Sequence, residues 1–153
     1  MARVGLISDT HGLLRPQALA ALEGSDYIVH GGDIGDPEIL AQLRAIAPLT
    51  VVRGNNDRAP WAIDIPDTAI LEIGATTIFA VHDIATLPID PVAAGVQVIV
   101  YGHSHSPAAT WRDGILYINP GSAGPRRFKL PVSVAELLVD GPSLTARVVQ
   151  LDI

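Results

Sequence analysis

Short apolar runs separated by small polar loops set the elements of this chain. Residues 3–8, with Val4, Leu6 and Ile7, read as a strand buried on both faces. Arg15-Pro16 opens a helix that runs to about residue 23, with proline in its first turn and Gly24-Ser25 ending it. Residues 26–30 form the second strand. Asp36-Pro37 is the cap-then-proline start of a second helix over 38–47, which carries Ile39, Leu40, Leu43 and Ile46 on one face. Residues 49–53 are the third strand. A strand-loop-helix unit repeated in this way favours a parallel sheet with right-handed crossovers.

After a proline-bounded loop over 58–66, which holds Trp61, the pattern changes. Residues 68–73 and 77–82 are strands joined at Gly74-Ala75, a hairpin pattern. Asp90-Pro91 starts a helix with room for one or two turns, and 96–101 is another buried strand. Residues 108–112 and 115–119 make a hairpin about Asp113-Gly114, and 132–139 and 144–151 pair through Asp140-Gly141-Pro142. The predicted architecture is one domain over residues 1–153, α/β in its first half and mostly antiparallel β in its second, with no repeat, linker or low-complexity segment.

Composition narrows the class. The chain is 48% hydrophobic, yet no apolar run approaches the roughly 18 residues of a membrane helix, so the surplus is assigned to the buried sheet and no membrane role is expected. It contains no cysteine, which excludes disulfides and thiolate metal sites. Asp9 arrives too early for a secretory leader, and the expected location is cytoplasmic. A net charge of −6 and an aromatic content of 5% argue against polymeric nucleic acid as a partner. Homo-oligomerisation stays open.

The candidate chemistry lies in the loops that follow the strands. Gly102-His103-Ser104-His105 places two imidazoles two residues apart, roughly 6–7 Å if extended, a spacing suited to two neighbouring metal ions. Similar loops are Asp9-Thr10-His11-Gly12, Gly31-Gly32-Asp33, Gly54-Asn55-Asn56-Asp57 and Val81-His82-Asp83. Taken singly, each has a plain alternative. Asp9 and Asp33 could be turn acids, His11 an exposed histidine, Asn55 or Asn56 a left-handed turn residue, and His82 a packed core histidine. Together they carry more: of five histidines, His11, His82, His103 and His105 all fall in such loops, where open α/β sheets place their sites.

These blocks, in this order from Asp9 to Ser122, resemble the calcineurin-like metallophosphoesterase superfamily. Asn119-Pro120-Gly121-Ser122 is similar to a block of its small single-domain phosphodiesterases, a branch that includes the phosphoesterase-fold subunit of retromer. The resemblance implies two packed mixed β-sheets flanked by helices, an αββα sandwich. It also implies that Asp9, His11 and His105 bind one metal, that Asn55, His82 and His103 bind a second, and that Asp33 bridges them. Asp33, Asn55, Asn56 and His103 would take part in catalysis. Oxygen and nitrogen ligands without sulfur suit manganese, iron, zinc, cobalt or nickel, manganese being favoured. Two such ions would leave the site a charge of about +1 and present a shared hydroxide to a small phosphate diester. The alternatives are a phosphomonoesterase using the same site and a non-catalytic interaction scaffold of the same fold.

Three departures from the family pattern stand out. Asn56 replaces a common histidine, so proton delivery to the leaving oxygen is in doubt and good leaving groups or diesters are expected to be favoured. Asp83-Ile84 replaces Gly-His, leaving Asp83 either to orient a ligand or to act as a solvated turn acid. The segment between His82 and His103 is short, which predicts an open rim. His30 is expected to pack near Asp33. Arg126, Arg127 and Lys129 form a basic loop, and Arg53 and Arg58 flank the asparagines; either group could be solvated or touch phosphate. Trp61 is expected at the rim or at an oligomer contact.

Overall fold

The computed structural model describes every residue from Met1 to Ile153. In chain order its strands are β1 (Ala2–Ile7), β2 (Tyr27–His30), β3 (Leu49–Val51), β4 (Thr68–Ile73), β5 (Thr76–Val81), β6 (Val98–Val100), β7 (Ala108–Arg112), β8 (Ile115–Asn119), β9 (Ser133–Asp140) and β10 (Ser143–Gln150). Its helices are α1 (Pro16–Leu22), α2 (Pro37–Arg44) and α3 (Pro91–Ala94). Two five-stranded sheets result, in the orders β10-β9-β1-β2-β3 and β4-β5-β6-β8-β7.

The period of two along each strand sorts side chains between layers. Val4, Leu6 and Val29 turn inward to meet Ile78, Val98, Val100, Leu116 and Ile118 of the other sheet in one buried cluster. Ile7 and Ile28 turn outward onto Ala18 and Leu22 of α1 and Ile39, Leu40 and Leu43 of α2. Each such side chain contributes about 1.5–3 kcal/mol by leaving water. The second sheet has less cover outside: Phe79, Val81 and Ile99 cluster with Val96 and Ile115 beside the single turn of α3.

The helix boundaries follow the capping chemistry. Asp36 Oδ1 accepts the Glu38 N–H at 2.9 Å and Asp90 Oδ1 accepts the Val92 N–H at 3.2 Å, each with proline next in the chain. α2 stops at Arg44, short of residue 47. Ile46 N and Ala47 N both bond the Leu43 carbonyl, a tightened last turn before Pro48, which cannot continue a helix. Trp61 is not a free rim residue: the 3₁₀ turn Pro60–Ala62 buries Ala62 and packs Trp61 against the helix-side core.

The second half is less uniformly antiparallel than its hairpins suggest. β5, β6 and β8 run parallel, because α3 carries the chain across from β5 to β6 and the β7–β8 hairpin returns β8 beside β6. With β1, β2 and β3 also parallel, six strands point their carboxyl ends into the loops that hold the candidate site. No helix is long and apolar enough to cross a membrane.

Candidate metal centre

Backbone conformation marks the site first. Only seven non-glycine residues have positive φ, and five of them are Asp9 (54°), His11 (45°), Asp33 (57°), His103 (72°) and His105 (64°). A left-handed residue other than glycine costs about 1–3 kcal/mol and persists only where its surroundings hold it. Here the loops hold one another: Asp9 N bonds Gly32 O, His11 N bonds Asp33 O, and Gly102 N bonds His82 O. Neither Asn55 nor Asn56, one of which could have been a left-handed turn residue, has positive φ; the strain sits on the candidate ligands instead. Gly54 has to be glycine, since a Cβ there would fall on the Asp33 carboxylate and backbone.

Asp9 is fully buried, and its two oxygens differ. Oδ2 accepts the Ser8 hydroxyl at 2.7 Å and the His103 N–H at 3.1 Å. Oδ1 has no hydrogen-bond partner, and the closest imidazoles to it are His105 Nε2 at 3.4 Å and His11 Nε2 at 3.7 Å. Those two Nε2 atoms are themselves 3.3 Å apart. Asp9, His11 and His105 thus form one group of converging donors, and Asp9, Asp33 and His82 form another, so that Asp9 belongs to both. Asp33 also faces both ways, its Oδ2 lying 3.2 Å from His82 Nε2 and 3.7 Å from His11 Nε2.

His82 Nδ1 donates to the Gly31 carbonyl at 2.7 Å, which leaves buried Nε2, without a hydrogen-bond partner, as the ring nitrogen a metal would take in place of a proton. An orphaned carboxylate oxygen and an orphaned imidazole nitrogen, both buried and convergent, are what a divalent cation satisfies; the residues fit such an ion. His103 is half exposed, with Nδ1 3.2 Å from Asn55 Oδ1 and Nε2 3.9 Å from Asp83 Oδ2, and its ring meets that of His82 edge to face at 5.2 Å. All seven sequence-named ligands therefore lie in one contiguous patch.

Electrostatics express the same crowding. Burial works against the Asp9 carboxylate, but His105, His11 and Ser8 outweigh it and hold the carboxyl far below the ordinary range. Burial likewise opposes an ionised Asp33, and His82 with the Asn56 N–H brings its carboxyl below the usual value. Asp9 raises the imidazole of His11 despite partial burial. Burial would depress His82, yet Asp33 beside it leaves the ring raised.

Outside the candidate ligands, Asp57 joins two loops. Its carboxylate accepts the N–H groups of Ile34 (3.0 Å), Gly35 (3.2 Å) and Gly54 (2.9 Å). The sequence placed it beside the asparagines without showing this role. Ser122 Oγ bonds Asp9 O at 3.0 Å, and Asn119 Nδ2 bonds Gly102 O at 3.1 Å, so the Asn-Pro-Gly-Ser block ties the Asp9 loop to the histidine pair. His30, fully buried, accepts the Gly32 N–H on Nδ1 and gives its Nε2 proton to Thr10 Oγ1, whose own proton goes to Ile34 O. Burial pushes this ring down to about 4.

The flanking residues divide. Asn56 turns both its N–H and its amide onto Asp33. Asp83 caps the 3₁₀ turn Ile84–Thr86 through Ala85 N while its other oxygen faces His103. Arg126, Arg127 and Lys129 are exposed, in a loop rooted where Gly124 packs on the Thr10 carbonyl. A cavity of about 440 Å³ lies beside Asn55, His82, Asp83 and His103.

Two β-sheets packed face to face, with carboxylates, imidazoles and an asparagine gathered at the strand ends, define a metallophosphoesterase-type fold. Residues 2–141 match the calcineurin-like phosphoesterase superfamily domain, and the chain belongs to that superfamily. It is 32% identical over 159 residues to a probable metallophosphoesterase of Methanothermobacter thermautotrophicus, covering 96% of this chain and 91% of that protein. Among solved structures it is similar to Chaetomium thermophilum Vps29, with a TM-score of 0.85 at 23% identity over 99% of this chain and 90% of that one. It is also similar to an archaeal phosphodiesterase, with a TM-score of 0.79 at 22% identity over 96% and 99%. At these identities the two structures show the fold.

Proposed function

We propose that the chain is a dinuclear metal-dependent phosphodiesterase that hydrolyses small phosphate diesters in the cytoplasm. The observation that carries this is the pair of orphaned buried atoms, Asp9 Oδ1 and His82 Nε2, each at the centre of a converging donor group. Asp9, His11 and His105 would hold one ion and Asn55, His82 and His103 the other, with Asp33 reaching both. Manganese is the favoured metal for this oxygen-and-nitrogen set. When bound, two divalent ions supply an activated water and a seat for the phosphoryl oxygens.

The residues themselves position and exclude. Ser8 and the His103 N–H fix the orientation of Asp9. Asn56 fixes Asp33, and Gly31 O fixes the tautomer of His82. The Asn56 amide cannot deliver a proton to the leaving oxygen at neutral pH, which favours diesters with good leaving groups over alkyl monoesters. A pure scaffold would have no need of buried polar atoms left without hydrogen-bond partners, so the orphaned atoms weigh against that alternative.

The test is metal analysis of the purified protein together with manganese-supplemented assays on aryl diesters and on alkyl and aryl monoesters. Diester turnover with about two ions per chain is expected. Asp33→Ala should abolish turnover and lower metal content; if it changes neither, the bridging assignment is wrong.

A further inference from the structure

Beside Asn55 lies a cavity of about 630 Å³ between the asparagine turn and the proline-bounded loop. Two arginines line it, and their situations differ. Arg53 is neutralised, with Nε and Nη2 on Asp67 Oδ1 at 3.2 and 3.0 Å. Arg58 gives only its Nε to protein, to the Asn55 carbonyl at 3.1 Å, and has no carboxylate partner. Its two terminal amino groups remain free at the mouth of the cavity. Asp57 does not compete for them, because backbone N–H groups occupy its oxygens. Ala59, Pro60 and Ile63 form an apolar wall, Ile63 being 71% exposed.

We propose that this cavity is a second subsite, in which Arg58 receives an anionic group carried on the ester substituent of the substrate. The proposal rests on the phosphodiesterase reading above and names its substrate class: phosphodiesters with a second phosphate on a short organic linker. The geometry supports it in three ways. Asn55 joins the two places, since its side chain faces His103 while its carbonyl holds the guanidinium. The guanidinium presents a planar fork suited to two phosphate oxygens. The backbone of its loop is anchored by the Arg53 N–H on Pro66 O and stiffened by prolines, so the ordering on binding is confined to the Arg58 side chain. On a chain of net charge −6, an exposed guanidinium with no carboxylate partner, lining a cavity that Asn55 shares with the centre, is a local attraction for an anion.

The test compares two probes expected to be turned over poorly, ethyl phosphate and ethane-1,2-diyl bisphosphate, titrated calorimetrically into manganese-loaded protein. The bisphosphate is expected to bind about tenfold more tightly to the wild type. Arg58→Gln should close that gap to about twofold, and Arg58→Lys should retain part of it. Alongside, kcat/KM is measured for the p-nitrophenyl diesters of ethyl phosphate and of 2-phosphoethyl phosphate, which share a leaving group. Equal affinity of the two probes for the wild type, or a gap that survives Arg58→Gln, overturns the subsite. A gap that depends on Arg58 with neither diester hydrolysed upholds the subsite and overturns the diesterase reading instead.

Discussion

Asn56 is clamped to Asp33: its backbone N–H lies 2.9 Å from Oδ1 and its amide Nδ2 3.2 Å from Oδ2. The residue that stands where the superfamily commonly has a histidine is thus engaged with a candidate ligand. A position that cannot deliver a proton makes the rate follow leaving-group basicity steeply. Across substituted phenyl diesters, log kcat/KM is expected to fall in proportion to the phenol pKa, and a simple alkyl phosphate to be turned over poorly. Asn56→Ala should also weaken metal retention about tenfold, because groups that orient ligands typically matter by 10–100-fold. A flat leaving-group series, or comparable turnover of an alkyl phosphate and an aryl diester, counts against this assignment.

Asp57 touches no candidate ligand through its side chain, yet it fixes the backbone of two ligand loops at Ile34, Gly35 and Gly54. Hydrogen bonds to a charged group contribute about 1.5–3 kcal/mol, and a buried donor left unpaired costs about 1–3 more. Asp57→Ala is therefore expected to lower unfolding free energy by about 2–4 kcal/mol even without metal, read from urea denaturation of the chelator-treated protein. A change below about 0.5 kcal/mol would show that the clamp is not structural.

Much of the architecture was legible because local chemistry and fold agree. Asp36-Pro37 and Asp90-Pro91 cap helices where the sequence puts them, and Asp113-Gly114 turns the β7–β8 hairpin with both residues at positive φ. The parallel pairing of β5, β6 and β8 was not legible, since pairing partners are set by long-range contacts and not by the hydrophobic period of a strand. At the site, residue types and spacing named the ligand loops. What stayed hidden were the hydrogen bonds that bind the loops together: Asp57 reads only as the last residue of the asparagine loop, Ser8 as the end of the first strand and Thr10 as a residue between Asp9 and His11. Trp61 illustrates the same limit, because an aromatic among prolines packs inward or outward according to a core the local sequence does not describe.

Proton competition predicts how metal affinity varies with pH. In the metal-free protein Asp9 raises His11, and Asp33 raises His82 against the effect of burial. A cation must displace those protons, so affinity is expected to rise with pH through and beyond the ordinary imidazole value near 6.5. The same raised groups stabilise the metal-free fold below pH 6.5, and that contribution is lost as pH rises through their folded values. Metal-free stability and metal affinity should therefore move in opposite directions above neutrality. Calorimetry in buffers of different ionisation enthalpy should show net proton release on manganese binding near pH 7. Uptake of protons, or none exchanged, contradicts the assigned ligands.

His30 sets the acid limit from the other side. Its Nδ1 accepts the Gly32 N–H and its Nε2 proton goes to Thr10, so the folded protein holds one neutral tautomer and has no room for a second proton. Burial lowers this ring to about 4, whereas the unfolded chain takes up the proton near 6.5. Between those values the unfolded state binds more protons, and stability falls as the solution is acidified, by at most about 3 kcal/mol in total. Asp9 and Asp33, both lowered, add their losses only below the ordinary carboxylate value of 3.8. The two windows are separable in chelator-treated protein. His30→Gln is expected to be less stable at pH 7, by about 1–3 kcal/mol for the disturbed hydrogen bonds, and to lose the slope between pH 6.5 and 4 while keeping the steeper fall below it. If the variant retains the wild-type slope in that window, another group titrates there and the buried neutral imidazole is not what limits the fold in mild acid.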